Sequence, residues 1–126
     1  MSLDKAKENI SYCKKQPELA EYVGAICCVN IAGTNGGGIW DGGYKENFYA
    51  SAYNSIIDIT REIIDAVKPV KTKYSLEPTP YMVPYSPENY LKLLNDVNRS
   101  GFGVHLDAVN MINSPEKYFF NADFTN

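Results

Sequence analysis

Apolar residues in this chain follow two spacings that alternate along its length. Over residues 3–23, Leu3, Ala6, Ile10 and Cys13 recur about one turn apart, which predicts a helix. Pro17 is expected to split it, with Pro17-Glu18-Leu19-Ala20 restarting a short helix that Gly24 ends. Residues 25–31, Ala-Ile-Cys-Cys-Val-Asn-Ile, are almost continuously apolar, as expected of a strand buried on both faces of a parallel sheet. Helical spacing returns over residues 48–68, where Ile56, Ile59, Ile63 and Val67 form one stripe and Pro69 stops the helix. A strand over 73–77 and a proline-rich loop through Tyr85 follow. Ser86-Pro87-Glu88 then opens a helix, with an N-cap serine, proline at the first position and an acid in the first turn. Its buried face is expected to carry Tyr90, Leu91, Leu94 and Val97. After a third strand over 103–107, Ser114-Pro115-Glu116 repeats the helix-start signal.

The order α-β-α-β-α-β-α predicts an α/β fold with parallel strands and right-handed crossovers. No linker composition divides the chain, so residues 1–126 read as a single domain with strands near 25–31, 73–77 and 103–107. Two of these strands end in a carboxylate, Glu77 and Asp107, each followed by a loop and a new helix. Strand C-termini of successive parallel βαβ units share one rim of the sheet, and in a barrel that rim carries the active site. Alternation along a strand puts Ser75 and Lys73 on the face of Glu77, and His105 on the face of Asp107. In the first strand Asn30 and Cys28 share a face. The face with the terminal polar group thus holds smaller or polar residues in all three strands, and the opposite face reads as helix-packing surface.

Composition narrows the function. Of 126 residues, 44% are hydrophobic and 21% charged, which are globular values. A net charge of −3, with lysine and arginine scattered, argues against a nucleic-acid surface. No apolar run is long enough to span a membrane and no leader pattern opens the chain, so a cytoplasmic protein is expected. The three cysteines include the pair Cys27-Cys28, whose side chains point to opposite faces, and buried, reduced thiols are expected. His105 is the only histidine and no Cys-x-x-Cys is present, so a structural zinc site is not expected.

Two carboxylates at one rim point most simply to a divalent cation held by oxygen ligands; structural capping acids are the plainer alternative. His105 lies one layer below the rim, where a satisfied core or supporting histidine is expected rather than a metal ligand. The segment 33–43 is rich in glycine but matches neither phosphate-loop pattern. Within it Trp40 either covers a sugar ring or anchors the loop. Tyr81, Met82 and Tyr85 are candidates for an apolar wall at the same rim.

Placed this way, the chain resembles the xylose-isomerase-like TIM barrels, a superfamily of sugar phosphate isomerases and epimerases with apurinic endonucleases as cousins. The resemblance rests on Gly24-Ala-Ile-Cys-Cys-Val-Asn-Ile-Ala-Gly33, Tyr74-Ser-Leu-Glu-Pro78, and Phe102-Gly-Val-His-Leu-Asp-Ala-Val-Asn-Met111 with Ser114-Pro-Glu-Lys-Tyr118. It implies a partial (β/α)8 barrel, with these strands as the fourth to sixth of eight. It implies that Glu77 and Asp107 are two of four ligands to one divalent metal (Mn, Mg, Co or Zn), and that Glu77 also takes part in proton transfer. The His and second Glu of such a site are absent, so the chain reads as the central fragment of a longer enzyme. The implied reaction is isomerisation or epimerisation of a sugar or sugar phosphate through an enediolate. Asn110, Asn30, Trp40 and His105 are then candidates for substrate contact. The endonuclease branch carries a histidine where Asn110 stands, so the resemblance favours the sugar branch, and a metal-dependent hydrolase or endonuclease of the same barrel is the second reading. The third is a non-catalytic βαβ unit whose open sheet edges pair with a second copy.

Overall fold

The computed structural model describes residues 3–34, 38–39 and 42–120. Helix α1 (Leu3–Val23) leads into strand β1 (Cys27–Asn30). A 3-10 helix (Lys45–Phe48), helix α2 (Ala50–Val67) and strand β2 (Lys73–Leu76) follow. Helix α3 (Pro87–Val97), a 3-10 helix (Val109–Met111) and helix α4 (Pro115–Phe120) complete the order. The fold is α/β, with helices on a parallel two-stranded sheet.

Pro17 does not split α1. It removes one helical hydrogen bond, yet its ring is fully buried, so packing holds the helix through that point. Both later serine starts behave as their sequence demands. Ser86 Oγ accepts from Asn89 N at 3.1 Å with Pro87 in the first turn, and Ser114 Oγ accepts from Lys117 N at 3.2 Å. On α2 the buried face is Ala52, Ile57, Thr60, Ile63 and Ile64 rather than the expected stripe. On α3 it is Tyr90, Leu93 and Val97, and Leu91 points outward. Of these, Ile57, Ile63, Ile64, Tyr90, Leu93 and Val97 meet Tyr74, Leu76, Val83, Phe102 and Met111 in one core.

Strands β1 and β2 pair in parallel, with Cys28 opposite Tyr74 and Asn30 opposite Leu76. Only one face of β1 is covered. Cys28 and Asn30 are half-buried while Cys27 and Val29 are exposed, so the expectation of a strand buried on both sides is not met. All three cysteines are free.

The third strand expected over 103–107 does not form. Its start is laddered, because Tyr74 N donates to Gly101 O and Gly103 N to Tyr74 O, both at 2.8 Å. The next rung would join His105 N to Leu76 O. Instead the hydroxyl of Tyr90, carried on α3, stands between them. It donates to Leu76 O at 2.6 Å, lies 3.4 Å from Gly103 O, and accepts from His105 N at 3.1 Å. A side chain has replaced a ladder bond, and residues 104–107 run on outside the sheet. Alternation survives there with its burial reversed: Val104 and Leu106, expected to pack on helices, are 52% and 65% exposed.

Contacts far apart in sequence lock the end of the sheet opposite the rim. Arg99 grips Asp65 with two bonds, Nε to Oδ1 at 2.7 Å and Nη2 to Oδ2 at 3.0 Å. Arg61 donates to the carbonyls of Asp96 and Val97, satisfying the C-terminus of α3. The Glu21 carboxylate accepts from the backbone N–H groups of Lys71 and Thr72. Those donors, Thr72 first, hold its pKa below the usual carboxylate range. Lys14 pairs with Glu62 at 2.7 Å.

Candidate metal and substrate site

Glu77 and Asp107 reach one rim by different local means. Glu77 N makes the last ladder bond, to Asn30 O at 2.8 Å, and the buried Pro78 then ends the strand. Its half-buried carboxylate is thereby fixed at the mouth of the sheet. Asp107 closes the segment 104–107 with an Asx turn. Its Oδ1 accepts from Val109 N at 3.1 Å and Asn110 N at 3.2 Å, which sets the start of the 3-10 helix. Asn110 then turns its amide back across the rim, and Nδ2 donates to Glu77 Oε1 at 3.3 Å.

Glu77 and Asn110 line a cavity of about 360 Å³ whose other walls include Ile31, Thr79, Tyr81 and Met82. Tyr81 is exposed and Met82 buried, so an apolar wall faces the carboxylate as expected for these two. Tyr85 lies elsewhere, its ring edge-on to Phe48 at 5.3 Å.

Three of the residues singled out from the sequence therefore come together: Glu77, Asp107 and Asn110. Asn30 does not join them. Register places it on the helix-facing side beside Leu76, where Nδ2 donates to Tyr74 Oη at 3.0 Å and Cys13 Sγ at 3.4 Å. It faces a separate, mostly apolar cavity of about 310 Å³ under α1 and α2. The shared polar face expected of the three strands fails at β1 for this reason. His105 is half-buried, and its backbone N–H is held by Tyr90. Trp40 lies outside the described residues.

Two organising residues were missed from sequence. Asn47, 2% exposed, accepts from Thr34 Oγ1 at 3.0 Å and donates to Tyr81 O at 3.0 Å, stitching the segments before and after α2 to the rim. Nothing around Lys45-Glu46-Asn47 marks it in advance. Tyr90 was read only as a core residue. Burial first of all raises the pKa of its phenol, so its hydroxyl stays protonated and keeps donating to Leu76.

The donor set suits a hard cation in part. Among the described residues no three His, Cys, Asp or Glu side chains gather to hold a metal. The two carboxylates supply only oxygen, and each keeps one oxygen, Glu77 Oε2 and Asp107 Oδ2, without a hydrogen bond among the described residues. Magnesium-like ions use one or two carboxylates and retain water, which such a pair accommodates. Below Glu77 on the same strand face, Ser75 Oγ is buried and has no partner among the described residues.

A family model described as xylose isomerase-like TIM barrel matches residues 1–123. No curated protein and no solved structure matches the chain. No helix among the described residues is long and apolar enough to cross a membrane.

Proposed function

Since this chain belongs to the xylose isomerase-like TIM barrel family, we propose that it supplies part of the site of a metal-dependent sugar or sugar phosphate isomerase or epimerase. The observation that carries this reading is the cavity at the rim, where Glu77 lies with one oxygen unbonded among the described residues and is tied through Asn110 to the loop of Asp107. A barrel of this kind needs about 250 residues, so the activity is proposed for a complete barrel containing these strands.

Glu77 and Asp107 would hold the cation through Oε2 and Oδ2. Bound there, a divalent cation supplies the charge that stabilises an enediolate oxygen. Glu77 is the group that would take the proton beside the substrate carbonyl and return it. Asp107 serves as a ligand only. Ile31, Met82 and Tyr81 offer an apolar wall to the carbon face of a sugar and keep water from the proton being moved.

The test is Glu77→Gln in the complete barrel, assayed on aldoses, ketoses and their phosphates. A positioned acid–base group contributes roughly 10²- to 10⁴-fold, so kcat falls by at least a hundredfold. Turnover within a factor of a few of the parent would remove Glu77 from the chemistry.

A further inference from the structure

Asn110 touches both carboxylate-bearing segments through two different groups. Its backbone N–H donates to Asp107 Oδ1 at 3.2 Å, and its side-chain amide donates to Glu77 Oε1 at 3.3 Å. The orientation of an amide follows from its partners. With the amide reversed, a carbonyl oxygen would face the Glu77 carboxylate, so the donating sense is the one electrostatics requires. Each carboxylate thus has one oxygen that accepts from N–H donors, one donor at Glu77 and two at Asp107, and one without a hydrogen bond among the described residues. With one oxygen held, the direction in which the other points is biased.

We propose that Asn110 is a positioning residue that aims Glu77, with Asp107, at a shared divalent cation, instead of reserving its amide for a substrate hydroxyl. The inference rests on the metal reading above and departs from the substrate role that the resemblance suggests. The two roles differ in the absence of sugar. A substrate contact leaves cation affinity unchanged, whereas a residue that orients a ligand alters it. Loss of such a supporting partner costs about 10- to 100-fold in metal affinity. Alanine at position 110 removes only the arm to Glu77, since the bond to Asp107 comes from the backbone and survives.

The experiment is a sugar-free titration with Mn²⁺, following the free ion by electron paramagnetic resonance, for the parent chain, Asn110→Ala and Glu77→Gln. Alongside it, ¹⁵N–¹H spectra of the cation-free parent and Glu77→Gln report the side-chain amide of Asn110. The expected result is binding by the parent, about 10- to 100-fold weaker binding by Asn110→Ala, and a shifted Asn110 amide pair in Glu77→Gln. Affinity within twofold of the parent in a folded Asn110→Ala overturns the positioning role. Should parent and Glu77→Gln bind Mn²⁺ alike, the metal reading of Glu77 fails by itself. The amide signal then judges the bridge: a shift upholds it, and no shift overturns it together with the proposal.

Discussion

Tyr90→Phe removes one oxygen atom and leaves the ring in place, so its effect isolates the hydroxyl that interrupts the sheet. Three backbone groups depend on that oxygen. Leu76 O loses a donor at 2.6 Å, His105 N loses an acceptor at 3.1 Å, and Gly103 O loses a weaker contact at 3.4 Å. Leu76 is 2% exposed, so its carbonyl cannot turn to solvent, whereas half-buried His105 recovers part of its loss from water. At roughly 1–3 kcal/mol for a buried group left unpaired, near the middle for Leu76 and at or below the bottom for His105, the variant loses about 2–3 kcal/mol. With a urea slope of about 2 kcal/mol/M, the denaturation midpoint falls by roughly 1 M. Amide hydrogen exchange at His105 is the second readout, and it quickens relative to Gly103, whose N–H bonds Tyr74 O directly. An unchanged or higher midpoint with a protected His105 amide would refute the reasoning, because the strand would then have closed onto Leu76 by itself.

Other outcomes follow from single residues. Burial holds the Tyr74 phenol up at about 12 against an ordinary 10. Stability from this group is therefore complete below pH 10 and is lost as pH rises toward 12, because the unfolded phenol ionises first. Near-ultraviolet titration should find Tyr74 among the late-ionising tyrosines, since burial also raises Tyr90, and Tyr74→Phe should reduce that late component by one tyrosine; a Tyr74 that titrates with its exposed counterparts in folded protein contradicts it. Lys68 caps α2 in the left-handed region at φ 52°, ψ 57°, a conformation costly for a side chain and free for glycine. After the extra entropy of glycine in the unfolded chain is subtracted, Lys68→Gly should add about 0.5–1 kcal/mol. Its Tm rises by a few degrees in calorimetry; a lower Tm would mean that the lysine side chain matters more than its backbone.

What could be read from the sequence was what short range decides. Ser86 and Ser114 cap helices because their partners lie three residues away, and Glu77 stands at a strand end because Pro78 follows it. The misreadings share a cause in distance. Whether 103–107 joins the sheet is decided by Tyr90, on a helix whose placement that segment does not encode. The face taken by Asn30 depends on register, and a shift of one residue reverses every side chain. Pro17 breaks helices in isolation, and only the packing of its ring keeps α1 whole. Glu77, Asp107 and Asn110 were identifiable as chemistry-bearing residues. That Asn110 bridges to a carboxylate needed the turn which Asp107 imposes.

The contacts between the first thirty residues and the rest have a consequence for how the chain is held together. The β1–β2 ladder, the Lys14–Glu62 pair, the bond from Asn30 to Tyr74 and the hold of Glu21 on Lys71 and Thr72 all cross the connection between β1 and the first 3-10 helix. None of them needs that connection to be covalently continuous. Severed there, the molecule would yield two pieces with a ready-made, directional interface, as a split reporter does. The intact linkage then serves chiefly to set the local concentration at which the halves meet.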